Sequence, residues 1–497
     1  MLQDSVLGAV YRAWGESWIF SLLRRVWRAL CGLASESRVF RIIFGPSRGD
    51  ALWSDTLAAR GLRAGMKGLT RLLRPLAGAV TDSAAARLCS GSALVNYDFL
   101  FGAFCCGMFL VPHEYWNNAF ALIGALVFLA FYLLQVAEGR RRGLAPDAPG
   151  LGLALLLLGC LLSMLFTPTR GSSLRILFYF ITSLLLCYEV MAYCQDRQSL
   201  RRLLAFLYFA TLAMSLMAIA QRALGLVHLN ASFTDPTINE GVPGRVYGTV
   251  DNPNNLSGIL QMFLPLSAAF AGGAKRGWKR TLLSLGLLIP ALALLMTYSR
   301  SGWLAIMLAA AIWVFYRNKR LLPALAVLAV LAVPLLPHSV LTRFSTIFNN
   351  RDTSRDYRIR IWRGVLAMLR DRGYWITGIG MGPDAFQYVF RSYGVNLPLE
   401  SVFHSQMLYL EIDMEVGIAA ALGFFWMLLK LLGRSGRAIC RPGDRRERLV
   451  LIAGVASVCA LAVSAIVEYL WFYPRCMFAF FLFLGLIMAA VRMEEKP

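Results

Sequence analysis

The sequence predicts an all-α fold, a polytopic membrane helix bundle of about twelve transmembrane helices with a large outer loop between the ninth and the tenth. Three observations predict it. Hydrophobic residues make up 58% of the 497 and charged residues only 16%, where a soluble domain of this size carries about a quarter charged. The mean hydropathy is +0.58, and the apolar residues come in blocks of roughly 20, enough to cross hydrocarbon. The basic residues fall largely in short connectors that share one side of the bundle.

The apolar blocks lie near 97–112, 116–136, 150–166, 174–194, 203–223, 254–272, 281–298, 301–316, 321–337, 404–431, 449–469 and 475–491. The connectors EGRRRG (138–143), CQDRQSLRR (194–202), AKRGWKR (274–280), YRNKR (316–320) and GRSGRAICRPGDRRER (433–448) are basic. All five fall on one side when the N-terminus is cytoplasmic, so both termini are expected there. One span more or fewer would break the alternation. Residues 96–497 therefore hold the bundle. Residues 1–95 form a basic amphipathic extension, cytoplasmic or interfacial, in which WIFSLLRRVWRAL (18–30) sets Arg against apolar residues at helical spacing.

The net charge of +22 would raise nucleic acid as a partner in a soluble chain. Here the connectors account for it, and the expected partner is the lipid bilayer, with no nucleic acid. The ten cysteines form no CxxC pair, and most sit in apolar blocks, as do Cys105, Cys106, Cys160, Cys187 and Cys459. They are expected to be core residues rather than a disulfide framework.

Two connectors on the other side are long, 224–253 and 338–403. The second holds nine Arg and no Lys. Solvation and attraction to anionic head groups would accommodate such a loop. An anion site would use it, because the planar guanidinium grips phosphate through paired donors. The four histidines, His113, His228, His338 and His404, all map to the outer ends of spans without HxxxH or HxH spacing, so neither a metal nor a cofactor is expected.

Three stretches carry the candidate chemistry. Arg300 lies in MTYSRSGWLAI (296–306), between two apolar blocks with almost no linker, beside the hydroxyls of Tyr298, Ser299 and Ser301. Such a charge either snorkels to the surface or faces a cavity. Arg245 lies in PGRVYGTVDNPNNLSGIL (243–260), where Gly and the Asn252-Pro253-Asn254 turn predict a tight re-entry into the membrane. The helix that follows can offer free N–H groups to an anion. His404 opens a span in SVFHSQMLYLEIDMEVGI (401–418), where a neutral imidazole can accept a proton. On one continuous helix Glu411 and Glu415 would share its face and Asp413 would point away. At roughly 10 and 16 Å along the axis, the two glutamates are expected to meet other spans rather than the neighbourhood of His404.

Together these stretches resemble the O-antigen ligase and polymerase family of membrane glycosyltransferases. The matching segments are GRVYGTVDNPNNLSGIL (244–260), TYSRSGWLA (297–305), RIRIWRGVLAMLRDRGYWITGIGMGPDAF (358–386) and HSQMLYLEIDMEVGIAAALGFF (404–425), so the likeness covers about 200–425. It implies a fold similar to other membrane-embedded (GT-C) glycosyltransferases and an undecaprenyl-pyrophosphate-linked glycan as donor. It implies an acceptor hydroxyl on a glycan, lipid or protein, reached at the outer face of the bacterial cytoplasmic (inner) membrane. Inversion at the anomeric carbon without a metal is also implied. Arg245 matches the arginine before the Asn-Pro-Asn turn, Arg300 that of the Thr-x-Ser-Arg segment, and His404 the histidine after the large outer loop.

On that likeness Arg245 and Arg300 stabilise the departing pyrophosphate and His404 takes the acceptor proton. Asn252, Asn254, Tyr298, Ser299, Arg355, Arg358 and Arg360 are the expected substrate-binding residues, with Arg363 a further phosphate candidate. Trp362, Tyr374, Trp375, Tyr388 and Tyr393 could cover the site and hold sugars. Ser405 departs from the Asn often found after the histidine, which leaves the orientation of His404 open. TGIGMGPDAF (377–386) follows no strand and is expected to be a tight turn rather than a nucleotide cradle. The alternative reading, a transporter or flippase for lipid-linked oligosaccharide, predicts internal repeats and matching broken helices, which the sequence does not display. A non-catalytic envelope scaffold is a further alternative.

Overall fold

The computed structural model describes residues 48–81, 96–227, 244–345, 353–371, 373–394, 402–441 and 443–495, with isolated positions between 21 and 38. All regular structure among them is helical. Of the amphipathic stretch 18–30 only isolated positions are described, and His228 lies outside the described residues.

Helices α1 (Arg48–Asp55) and α2 (Leu57–Thr81) precede the bundle. Helix α2 leaves Leu57, Leu62, Leu69, Leu72 and Leu76 exposed along one side. The bundle itself begins with α3 (Tyr97–Leu110), α4 (Ala119–Ala137), α5 (Leu151–Ser163), α6 (Arg170–Tyr193), α7 (Arg197–Ala223) and α8 (Pro253–Gly273). It continues with α9 (Trp278–Gly286), α10 (Leu288–Met296), α11 (Arg300–Asn318) and α12 (Leu322–Ala332). The segment to 394 carries α13 (His338–Ser345), α14 (Thr353–Arg370), α15 (Tyr374–Thr377) and α16 (Pro383–Phe390). Helices α17 (Leu408–Val416), α18 (Ile418–Cys440), α19 (Arg445–Ser464) and α20 (Pro474–Glu495) close the chain.

Among the described residues, eight helices are long and apolar enough to cross a membrane: α4, α6, α7, α8, α9 with α10 as one unit, α18, α19 and α20. Helices α3 and α5 are apolar but shorter, at 14 and 13 residues. The block near 321–337 yields only the 11-residue α12 followed by a 3-10 turn. Against the twelve spans expected, eight segments among the described residues thus combine the length and the apolar character of a crossing, while α11 has the length, at 19 residues, but carries Arg300 and Arg317 at its ends.

Helix α20 is the axis of the bundle, buried without interruption from Arg475 to Val491. Apolar side chains on all its faces mark a helix surrounded by other helices. Helix α4 is the opposite case, with Phe120, Ile123, Leu126, Val127 and Phe131 exposed. A row of exposed large apolar residues on such a helix fits contact with lipid. Of the cysteines noted above, Cys105, Cys106, Cys160 and Cys187 are buried and Cys459 is partly buried, all with free thiols.

The basic connectors meet at one end of the bundle. Arg141 and Arg202 both bind Asp98, Arg197 binds Glu447, and Arg434 binds Glu495. Arg446 donates to the Gly273 carbonyl at 3.0 Å, bringing in the connector after α8. Helices α7, α8 and α19 run from this end to the opposite one, where the re-entry after Arg245 and the residues around 465 lie.

The predicted span 404–431 is two helices. The break falls at Gly417, whose φ of 81° is left-handed and whose position leaves no room for a side chain. A Cβ there would sit 2.2 Å from the Ile376 carbonyl oxygen. Backbone from the preceding segment is therefore wedged against the kink, and Ile379 N–H donates to Met414 O at 2.7 Å. The helix also starts at Leu408, so His404 lies on a turn before it rather than on it. The segment after 338 has a core of its own, with Ile361, Val365, Met368, Phe386 and Phe390 packed on Met414. It is a folded helical cap seated on α17, and the glycines of 377–386 form the turn that seats it.

Candidate active site

The re-entry loop before α8 is tied down at each residue that matters. Gln221, buried near the end of α7, donates through Nε2 to Gly248 O at 2.9 Å and accepts Gly248 N–H at 2.8 Å. Gly248 has φ +63°, and a Cβ on it would lie 2.9 Å from Met214 O, so only glycine fits without strain. Thr249 Oγ1 donates to Phe109 O at 2.6 Å, and Arg475 donates to Thr249 O and Val111 O at 2.9 and 2.7 Å. Asn252 accepts Asn254 N–H at 2.8 Å and caps α8, with Pro253 at the first helical position.

Arg245 is held by that loop with only 6% of its surface exposed. Its Nε donates to Thr297 O at 2.6 Å and Nη2 to Asn254 Oδ1 at 2.5 Å. The contact reaches the turn between α10 and α11, where Tyr298 adopts a left-handed φ of 51° and Arg300 is the first residue of α11. Ser299 is the N-cap, accepting Gly302 N–H at 3.4 Å. The Tyr298 hydroxyl meets Ser339 Oγ at 3.0 Å, and its carbonyl accepts from Arg343 Nε at 3.3 Å. The cap's first helix is thereby fastened to the turn that presents Arg300.

Glu468, in the connector between α19 and α20, faces this cluster. Its Oε1 lies 3.4 Å from Arg358 Nη2, 3.4 Å from Asn254 Nδ2 and 3.5 Å from Ser301 Oγ, and its Oε2 lies 3.4 Å from Asn254 Nδ2. The Arg358 and Glu468 side chains are 20% and 14% exposed, so the pair is sheltered but open at one side. Burial, and after it the Arg343 charge, hold the Arg245 guanidinium down at about 9; Arg300 and Arg358 act in the same direction and Glu468 against them. Arg245, Arg300, Arg343 and Arg358 are thus electrostatic neighbours, and Glu468 is the acidic side chain among the described residues that acts on Arg245. Such a cluster is an anion site in waiting.

His404 stands on the turn beside it, its ring packed on Phe472 at 4.6 Å and Tyr469 at 5.5 Å between centroids. Burial, with a smaller contribution from the Arg358 charge, lowers its pKa to about 3. Nδ1 accepts the Gln406 N–H at 3.1 Å, so the neutral ring carries its proton on Nε2. Ser405 does not touch the ring: its Oγ donates to Met407 O at 2.9 Å and its carbonyl accepts from Trp362 Nε1 at 3.0 Å. The left-handed Gln406 (φ 60°) turns the chain back so that Ser405 N–H reaches Glu411 Oε2 at 2.6 Å. This corrects the expectation that Glu411 lies too deep to serve the histidine's surroundings, which assumed a helix from 404 onward. Glu415 accepts from Gly382 N–H at 2.9 Å and from the Tyr469 hydroxyl at 3.1 Å, so it joins the cap to the bundle.

Of the residues expected from sequence, the structure brings together Arg245, Arg300, Arg358 and Asn254, with His404 alongside. Asn252, Tyr298 and Ser299 are occupied in shaping the two turns. Arg360 is exposed and pairs with Asp356, on the other face of α14 from Arg358. The side chain of Arg355 lies outside the described residues. Sequence reasoning missed Glu468 and did not separate Arg343 from the other loop arginines. A signal for Glu468 existed: it is an acidic residue at the end of the apolar run 449–469, where an ionisable group is costly without a function or a partner.

Residues 285–425 match the family model described as O-Antigen ligase. The match takes in Arg300, Arg343, Arg358 and His404; Arg245 and Glu468 fall on either side of it. No curated protein matches the chain.

Proposed function

We propose that this chain, which carries an O-antigen ligase domain over residues 285–425, transfers or polymerises a glycan from an undecaprenyl-pyrophosphate donor. The acceptor is a hydroxyl on a glycan, lipid or protein at the outer face of the bacterial cytoplasmic membrane. The observation that carries the reading is the group of guanidiniums from Arg245, Arg300, Arg343 and Arg358, held at the end of the bundle away from the basic connectors.

The leaving group dictates the chemistry. When the anomeric carbon parts from the pyrophosphate oxygen, the prenyl pyrophosphate gains a negative charge. Preorganised guanidiniums in a water-poor cleft stabilise that gain more strongly than bulk water does. Arg245 and Arg300 grip the diphosphate, and Arg358 and Arg343 complete its surroundings. The acceptor oxygen approaches from the side opposite the pyrophosphate, which inverts the anomeric centre. The charge stabilisation comes from side chains, so the step uses no metal. His404 meets the acceptor at the rim, next to Trp362, whose indole donates to Ser405 O.

Reconstituted transfer from a lipid-linked donor tests this. Arg245→Ala, Arg300→Ala and His404→Ala should each remove transfer while the protein still accumulates in the membrane. Full activity of all three variants would end the reading. In cells, deleting the gene should leave capped single repeats if the activity is polymerisation. It should leave long chains on the lipid carrier if the activity is ligation, and an unchanged surface polysaccharide would count against both.

A further inference from the structure

Glycan transfer to a hydroxyl needs a proton acceptor, and among the described residues beside Arg358 both His404 and Glu468 are chemically able to serve. Their hydrogen bonds separate them. The lone pair on His404 Nδ1 is taken by the Gln406 amide at 3.1 Å, within the same turn. The remaining nitrogen, Nε2, then bears a hydrogen and acts as a donor. For that nitrogen to accept a proton, the ring would first have to change tautomer and give up the amide contact.

Glu468 has the complementary geometry. A carboxylate has about four lone-pair sites on its two oxygens. Among the described residues, Oε1 meets Arg358, Asn254 and Ser301, whereas Oε2 meets only the Asn254 amide, at 3.4 Å. All of these contacts are long, so the carboxylate is positioned without being saturated. It also pairs with Arg358 and acts electrostatically on Arg245, two of the guanidiniums that would hold the donor, so on the transferase reading it would lie near the reacting centre.

We propose that Glu468 is the catalytic base of the transfer and that His404 is a hydrogen-bond donor to the acceptor. The inference rests on the transferase reading above. The acceptor hydroxyl gives its proton to Glu468 Oε2 as its oxygen forms the new bond to the anomeric carbon. The bond from that carbon to the pyrophosphate oxygen breaks, and its electron pair leaves with the prenyl pyrophosphate, held by Arg245, Arg300, Arg343 and Arg358. Glu468 then passes the proton to water. His404 Nε2–H, meanwhile, orients the acceptor oxygen or a neighbouring hydroxyl.

The test is reconstituted transfer with a lipid-linked glycan donor, using variants of the full chain that elute as single species in detergent. Glu468→Gln keeps the shape of the side chain and removes its basicity. It should lower kcat by about 10²- to 10⁴-fold with the donor KM little changed. Glu468→Ala should regain at least about tenfold in kcat on adding formate, a small carboxylate that replaces the missing proton acceptor. His404→Asn, which retains an N–H, should be clearly more active than His404→Ala, and formate should leave both unchanged. The proposal is overturned if Glu468→Gln keeps kcat within about threefold of the parent or loses activity only through donor KM. It is equally overturned if formate restores His404→Ala and not Glu468→Ala. If Glu468→Ala fails to accumulate, the Glu468→Gln comparison decides. An unmodified chain that shows no transfer from the lipid-linked donor would instead refute the transferase reading itself.

Discussion

Charge states at this rim are set by neighbours, and two of them bear on the pH response. Burial and Arg343 pull the Arg245 guanidinium below its ordinary value, but an arginine keeps its proton across the working range of a protein. Its grip on a diphosphate should therefore not depend on pH, and the donor KM should stay flat between about pH 7 and 9. A KM that climbs in that window in the parent and not in Arg245→Lys would show that this guanidinium titrates. Burial lowers His404 as well, down to about 3, so it is neutral across the range in which the membrane remains intact. The rate profile should therefore show no inflection near the ordinary imidazole value of about 6.5. An inflection there that disappears in His404→Asn would restore His404 as the titrating group. Arg245, Arg300 and His404 were legible as candidates because each is polar at the edge of an apolar block. What sequence did not reveal was hydrogen-bond direction. No spacing rule says that Gln406 N–H will occupy Nδ1, and that single bond changes the role open to the ring.

Elements that interrupt their own regularity position the site. The break at Gly417 separates α17 from α18, and the loop around Gly248 separates α7 from α8. The first lies in a stretch that hydropathy reads as one continuous span, 404–431, whereas the second falls in the long connector 224–253 that the sequence reads as ending in a tight re-entry. Periodicity reports how apolar a block is, and a glycine inside one is compatible with an unbroken helix. The close approach of Ile376 O to Gly417 is a contact with a distant segment that local pattern does not encode. Gly417→Ala would meet a left-handed φ and a carbonyl 2.2 Å from its Cβ. We expect it to cost on the order of 1–3 kcal/mol, read as a lower melting temperature in detergent, together with a loss of transfer because the cap loses its seat. A variant with the parent's melting temperature and activity would show that the kink is not required. Gln221 offers a subtler case. It makes no contact with the guanidiniums, yet Gln221→Leu leaves both the N–H and the C=O of Gly248 without their partner in the protein. Unmade buried hydrogen bonds cost about 1–3 kcal/mol each, so the variant should melt lower and lose donor affinity through a displaced Arg245. Unchanged donor affinity would show that the loop holds its shape without Gln221.

For the molecule as a whole, the question is which way it faces. The connectors after α4, α6, α8 and α18 converge at one end through Asp98, Glu447 and Glu495, so they share a membrane face as their charge pattern anticipated. The arginines of the rim lie at the other end and are held by tertiary contacts, so they need no anionic head groups to explain them. Positive charge at both ends defeats a simple count of Lys and Arg; what distinguishes the two is that one end consists of short connectors and the other of a folded cap with its own core. The positive-inside rule applies to the first kind and not to the second, and on that ground we propose that the site faces outward and the termini lie in the cytoplasm. Introduced cysteines test this in a background where Cys440, exposed, and Cys31 and Cys89, which lie outside the described residues, are replaced by serine. Tyr388→Cys on α16, at a position 65% exposed, should react with a membrane-impermeant maleimide on intact spheroplasts. Trp278→Cys at the start of α9, at a position 71% exposed, should react only once the membrane is opened. The reverse pattern would put the guanidiniums in the cytoplasm. It would leave the chain unable to meet an acceptor on the outer face, however well its side chains are arranged.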